Sequence, residues 1–261
     1  MAETAGYFTS ADGTPLYGVF HAAEGAARPP VLIAPAFFEE RKSAYGTLAG
    51  LARALAQAGH PALRFDYRGS GESGGDPVAR RWSGIVADLA AARAALSKLS
   101  GREDFALLGL RLGATLALEQ ARALKPAATL ALAPFVQGKT AERQWRIRSK
   151  LRAEMTGGAR AEETGAPSEE RVDLDGFPVG AEFFEDVQRV DLLAAPPLET
   201  PALLLQISPA PTRSPTCRRL KAALGARCEL ACLRLEPFWD RLDHVDAAAL
   251  HARVKEFLGR L

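Results

Sequence analysis

Three groups of residues in this chain have the chemistry to handle a charged or acyl compound. The first is Arg111, at the centre of Gly109-Leu110-Arg111-Leu112-Gly113. Its guanidinium stays protonated at any working pH, so it cannot attack a carbonyl. It can grip a carboxylate or phosphate through a bidentate fork, or fill a structural salt bridge. The second is His244, one of 4 histidines, whose reference pKa near about 6.5 suits general-base work at neutral pH. Asp240, Asp243 and Asp246 surround it in sequence, and one of them could orient its ring. The third is the pair Glu39-Glu40. Consecutive glutamates are more often solvated than catalytic. A carboxylate beside an arginine stays ionised, which suits an orienter or half of an ion pair better than a general acid.

The elements that must position these groups are legible as apolar runs alternating with helical periods, the pattern of a parallel sheet covered by helices. Strands are expected around Tyr7–Thr9 and Leu16–His21, then at Val31–Ala34, Ala62–Phe65, Phe105–Leu108, Thr129–Ala133, Ala202–Ile207 and Glu229–Leu235. Helical stripes follow, at Leu48, Leu51, Leu55 and Ala58, and at Trp82, Ile85, Val86, Leu89, Ala92 and Leu96. Others run from Leu112 to about Leu124, over 214–224, and through Leu250, Val254, Phe257, Leu258 and Leu261. Arg111 therefore sits on a turn between a strand and a helix, so tight that its flanking positions require glycine. Its side chain should project above the sheet at a helix start, where backbone N–H groups already form a positive end. It needs an acidic partner or an anionic ligand there. Glu39 and Glu40 follow the neighbouring strand in a loop that converges on the same place, and Glu40 is the one expected to face Arg111.

Residues 137–195 break the alternation and are expected to form an inserted cap within one domain of residues 1–261. A helix over about 139–155 carries Arg143, Arg146, Arg148, Lys150 and Arg152. Such a cluster is usually a solvated helix face. The sharper alternative is a contact for an acidic group of a substrate or partner.

The bulk properties exclude several classes. A formal net charge of +2 on 261 residues argues against nucleic acid, and no apolar run is long enough to span a bilayer. The start of the chain lacks the apolar region of a signal peptide, so the cytoplasm is the expected compartment. Cys217, Cys228 and Cys232 form no Cys-x-x-Cys pair and have no histidine at ligand spacing. They are expected as buried, reduced thiols, with no metal site and no cofactor.

The strand–turn–helix setting of Gly109–Gly113 makes that motif a nucleophile-elbow candidate. With the loop Arg64-Phe65-Asp66-Tyr67-Arg68-Gly69-Ser70-Gly71-Glu72-Ser73 and His244 before the last helix, it resembles the serine-aminopeptidase-like α/β hydrolases over nearly the whole chain. The resemblance implies a mostly parallel eight-stranded sheet with helices on both faces and an inserted cap. It also implies that Asp66 and Arg68 brace their loop, that His244 is the base, and that the amides of Phe37 and Leu112 donate to an oxyanion. The chain departs from the family at the chemistry. Arg111 stands where Ser, Cys or Asp is expected, and neither Ser208-Pro209-Ala210 nor Pro134-Phe135-Val136 supplies the triad acid. Phe38-Glu39-Glu40 with Ser43, the run Gly109–Ala114, and Pro237-Phe238-Trp239 further resemble the exosortase-A-system-associated hydrolase 2 group.

Two functions from different classes follow. One is binding of an anionic or acyl small molecule near Arg111, with acid–base chemistry by His244 and contacts from Phe37, Glu39, Glu40 and Leu112. The other is a non-catalytic partner or scaffold protein of a polysaccharide or protein-export pathway, its pocket plugged by an Arg–Glu pair. An esterase or thioesterase with an unrecognised nucleophile ranks behind both.

Overall fold

The computed structural model describes residues 2–23, 28–155, 171–210, 212–241, 243 and 245–261. Among them, eight strands form one sheet: β1 (Glu3–Thr9), β2 (Pro15–His21), β3 (Val31–Ala34), β4 (Ala62–Phe65), β5 (Ala106–Leu110), β6 (Ala128–Leu132), β9 (Ala202–Ser208) and β10 (Cys228–Arg234). Their order is β1-β2-β4-β3-β5-β6-β9-β10, antiparallel for the first two pairs and parallel from β4 onward. This is the mostly parallel α/β-hydrolase sheet. The central strands β3, β5 and β6 are buried throughout, which is why they read as continuous apolar runs rather than alternating ones.

Helices cover both faces. On one side α1 (Phe38–Gln57) and α7 (Ala248–Leu258) pack Leu48, Leu51, Leu55, Leu250 and Val254 against Val31, Ile33 and Leu108. On the other lie α2 (Trp82–Ser100), α3 (Leu112–Leu124) and α6 (Pro215–Leu224). Between β6 and β9 the chain leaves the sheet to form α4 (Gly138–Met155), the hairpin β7 (Arg171–Leu174) and β8 (Phe177–Gly180), and α5 (Ala181–Gln188). The hairpin and α5 have no counterpart in the sequence reading, and the breaks expected at Gly157-Gly158 and 165–168 lie outside the described residues. After β10 a single 3₁₀ turn, Phe238–Asp240, docks against α1.

One expectation needs correcting, because it bears on the site. Glu39 and Glu40 are not in a loop: α1 begins at Phe38, ten residues before the leucine stripe that announced it. The first turns carry no apolar stripe, but two acidic residues beside the positive helix end are themselves a start signal.

At the antiparallel side of the sheet, His21 is fully buried at the end of β2. Its Nε2 accepts a hydrogen bond from Arg64 Nε at 3.1 Å, and its Nδ1 lies 3.6 Å from Glu3 Oε1. Burial, with the Arg64 charge adding to it and Glu3 opposing, pushes the imidazole down to about 4. The unfolded chain titrates near about 6.5. Above that pH the ring is neutral in both states, and the buried His21 is tolerated. As pH falls towards 4, the unfolded chain takes up a proton that the folded chain refuses. Stability should fall across that window, by at most about 1.4 kcal/mol per pH unit from this group. His60 and His251, whose pKa values are also lowered by burial, add in the same sense. His21→Gln, whose side-chain oxygen still accepts from Arg64, should reduce the slope without abolishing it. Urea denaturation at several pH values between 7 and 4 checks this, and an unchanged slope in the variant contradicts it.

Candidate functional site

The strand-to-helix turn at the end of β5 is built as a nucleophile elbow. Arg111 caps α3 with φ 55° and ψ −121°, a conformation that costs a non-glycine residue of order 1–3 kcal/mol and persists only where the surroundings enforce it. The enforcement is visible at the flanking glycines. A Cβ on Gly109 would lie 2.3 Å from the Gly113 carbonyl oxygen, and one on Gly113 would lie 2.2 Å from that of Pro35. The turn thus packs backbone against backbone: a side chain at Gly109 would push α3 away from β5, and one at Gly113 would push it away from the end of β3. Two more residues in the left-handed region stand at the ends of the flanking strands, Phe38 (φ 53°) after β3 and Ala133 (φ 46°) after β6.

The arginine on this elbow is buried, with 8% of its surface exposed, and the protein supplies its polar partners. Its Nε donates to Glu40 Oε1 at 3.0 Å, Nη1 to the Ala133 carbonyl at 3.1 Å, and Nη2 to Gln144 Oε1 at 2.8 Å. The guanidinium carbon lies 3.9 Å from the centre of the Phe135 ring and 4.9 Å from that of Trp239. These are the distances of cation–π stacking. Glu40, in the first turn of α1, is completely buried, and its Oε1 also accepts from Arg148 Nη2 at 3.3 Å. Arg148 in turn pairs with Asp240 on the 3₁₀ turn.

The basic cluster of α4 splits by helical period. Arg148 and Arg152 share the face of the buried Trp145 and turn inward, Arg152 reaching Glu39 Oε1 at 3.2 Å and Asp175 at 3.7 Å. Arg146 pairs with Glu142 on its own helix and lies over Phe184, while Arg143 and Lys150 are exposed. Part of the cluster does meet acidic groups, but they belong to the same chain. Two neighbouring glutamates on α1 are therefore clasped by two arginines one turn apart on α4. The Trp145, Phe38 and Phe183 rings stack edge to face beside the clasp, with Trp145–Phe38 centroids 5.0 Å apart.

Of the aspartates around position 244, only Asp240 reaches the site. Burial raises its pKa, against the pull of Arg148 and Arg111 and with the push of Glu40. Asp243 is spent on Arg241 at 2.7 Å, and Asp246 accepts the Ala248 N–H at the start of α7. His244 itself lies outside the described residues. Phe37 and Leu112 flank the elbow and are buried, Phe37 stacked on Tyr67 with ring centres 4.7 Å apart. Asp66 and Arg68 brace the loop after β4: Asp66 binds Arg41, while Arg68 binds Asp12 and Asp88.

The sequence reading missed Gln144, Phe135 and Trp239 as contacts of Arg111. The signal for α4 was present, because Ala141, Trp145, Arg148 and Arg152 recur at helical spacing. Beside the clasp, Glu40 Oε2 and the Trp145 indole Nε1 are buried without a hydrogen-bond partner among the described residues. Both residues line a cavity of about 10 Å³ with Arg148 and Asp175, room for about one water.

Residues 34–166 match a family model described as serine aminopeptidase, S33. The fold is shared with solved structures at low sequence identity. A Pyrococcus furiosus esterase aligns at 17% identity with a TM-score of 0.68, covering 99% of this chain and 90% of its own. Est1E from Butyrivibrio proteoclasticus, solved with ferulic acid bound, aligns at 17% identity with a TM-score of 0.70, covering 98% of each chain. The α/β hydrolase GrgF from Penicillium sp. sh18 aligns at 20% identity with a TM-score of 0.68, covering 100% of this chain and 99% of that one. No curated protein matches the chain closely in sequence. Among the described residues no helix is long and apolar enough to cross a membrane.

The buried pair makes a definite energetic prediction. Arg111→Met leaves Glu40 with Arg148 alone and should destabilise the fold by about 3 kcal/mol. Adding Glu40→Leu removes the stranded carboxylate and should recover most of that loss, since Arg148 keeps Asp240. A double-variant cycle in urea measures the coupling. Losses that simply add would contradict the pairing.

Proposed function

The chain belongs to the serine aminopeptidase S33 family of α/β hydrolases, and from that premise we propose that it is a member without acyl-enzyme chemistry, acting as a binding or scaffold protein. The observation that carries this reading is the occupancy around Arg111. Its guanidinium is held by Glu40, Gln144 and the Ala133 carbonyl between two aromatic rings. A family hydrolase needs that same space for an attacking oxygen and a tetrahedral intermediate. Here it holds a salt bridge. The residues that follow β6 and β9 supply no acid to orient a histidine. Helix α4 then serves as a fixed cover, tied down by Arg148 and Arg152 rather than opening to admit substrate. The likeness of Phe38-Glu39-Glu40, the Arg111 turn and Pro237-Phe238-Trp239 to the exosortase-A-system-associated hydrolase 2 group suggests where such a scaffold works, in exopolysaccharide synthesis or protein export.

A second reading keeps a small anionic or acyl ligand near Arg111, with His244 doing acid–base work. In its favour are the unpartnered Glu40 Oε2 and Trp145 Nε1 beside a cavity, and the small aromatic acid bound by the structurally similar Est1E. It requires the ligand to displace Gln144 or Trp239 from the guanidinium. A thermal-shift series with carboxylates, phosphates and acyl-CoA compounds separates the two. The scaffold reading expects no concentration-dependent gain in Tm that Arg111→Ala removes; such a gain would establish the ligand reading.

Two outcomes test the absence of acyl-enzyme chemistry. The protein should take up no fluorophosphonate label and should not hydrolyse p-nitrophenyl acetate above background, because residue 111 cannot form an adduct. Arg111→Ser should stay a poor esterase, since the serine would lack an oriented imidazole and would stand beside a buried Glu40 left with Arg148 alone. A stoichiometric label on one residue, or triad-like turnover by the variant, would overturn the proposal.

A further inference from the structure

On the α1 side of the sheet, the surface opens into a groove of about 30 Å³ between α1 and strands β2, β4 and β3. That is space for roughly two or three waters, the size of a carboxylate with a short stem. The floor is apolar, formed by Val19, Ile33 and Leu48. The polar groups on its lining are Arg64, the hydroxyl-bearing rings of Tyr17 and Tyr45, and the ion pair of Arg41 with Asp66. The rim carries Arg41, but that charge is consumed by Asp66 through two hydrogen bonds of 3.0 and 2.5 Å.

Arg64 is held differently from the other arginines that line buried parts of the molecule. Its Nε donates to the neutral, buried His21, and its plane lies over the Tyr45 ring at 4.9 Å. Among the described residues no carboxylate lies within ion-pair distance of it, and its two terminal nitrogens have no hydrogen-bond partner. The acid beyond His21, Glu3 on β1, is bound to Arg53 at 2.5 Å. A solvated surface arginine swings freely on its stem. This one is fixed at Nε and across its face, beside an apolar floor, with its bidentate end left over. Such preorganisation lowers the entropy cost of taking a planar anion.

We propose that this groove binds a small organic acid, its carboxylate paired end-on with the terminal nitrogens of Arg64 and its short apolar stem lying along the apolar wall at Val19 and Leu48. The site is independent of Arg111 and Glu40, so it stands or falls separately from the scaffold reading.

Hexanoate is a suitable probe, followed by saturation-transfer NMR and calorimetry on the full chain, with hexanamide and sulfate as comparisons. Wild type should bind hexanoate saturably and hexanamide at least about tenfold more weakly, because the amide carries no charge. Sulfate, which has no stem, should compete poorly. Arg64→Gln should weaken hexanoate by at least about tenfold, and Tyr45→Ala, which removes the exposed ring that holds the guanidinium, by several-fold. Melting curves report whether each variant is folded, and Tyr45→Ala remains decisive if Arg64→Gln is not. The proposal is overturned by no saturable binding, by hexanamide binding as well as hexanoate, by sulfate competing as well as hexanoate competes with itself, or by unchanged affinity in the folded variants.

Discussion

A buried guanidinium at the positive end of a helix is the constraint on which the rest of this site depends. An arginine keeps its proton at any working pH, and Arg111 is largely withdrawn from bulk water, so the surrounding chain must supply acceptors or the fold loses several kcal/mol. Glu40 supplies the charge, Gln144 and Ala133 the remaining acceptors, and Phe135 and Trp239 the polarisable walls. Each requirement fixes an element. α1 must start early enough to place Glu40 in its first turn, α4 must lie across the strand ends to bring in Gln144 and Arg148, and the 3₁₀ turn must deliver Trp239 and Asp240. The clasp of Glu39 and Glu40 by Arg152 and Arg148 then follows as a second layer of the same charge balance.

The elbow shows backbone and chemistry parting company. The strained dihedrals of Arg111 and the backbone contacts that force Gly109 and Gly113 are those of a turn that exposes a nucleophile. They remain because the sheet and α3 pack through them, whatever side chain stands at the tip. The side chain has been replaced by one that binds inward. The family and the fold are therefore secure while the family's reaction does not follow from either, since function resides in the groups at a site and not in the scaffold that holds them.

How much of this could be read beforehand varies with the kind of signal. The sheet, the elbow and the need of Arg111 for a partner were legible, because apolar runs and a glycine-flanked turn are local patterns. The reach of Glu40 to Arg111 was an inference from strand adjacency alone. The start of α1 was not legible: its first turns bury glutamates in place of the leucines that periodicity looks for. The inward turn of Arg148 and Arg152 was hidden for the same reason, since a buried charged stripe reads as a solvated one until its acidic partners on another element are known. The hairpin Arg171–Gly180 is short, half-buried and partly charged, and leaves almost no periodic mark. The groove at Arg64 is invisible to any local reading, because it exists only where β2, β4 and α1 meet.

The lock on Arg111 can be observed directly at its Nε–H, which the structure places on a fully buried carboxylate at 3.0 Å. Arginine-selective ¹⁵N NMR of the native protein would resolve that group from the solvated arginines. The account predicts one Nε–H signal, assigned through Arg111→Lys, that exchanges slowly with water at neutral pH and shifts or vanishes in Glu40→Gln. An Arg111 Nε–H that exchanges as fast as those of surface arginines, and ignores the Glu40 substitution, would contradict it.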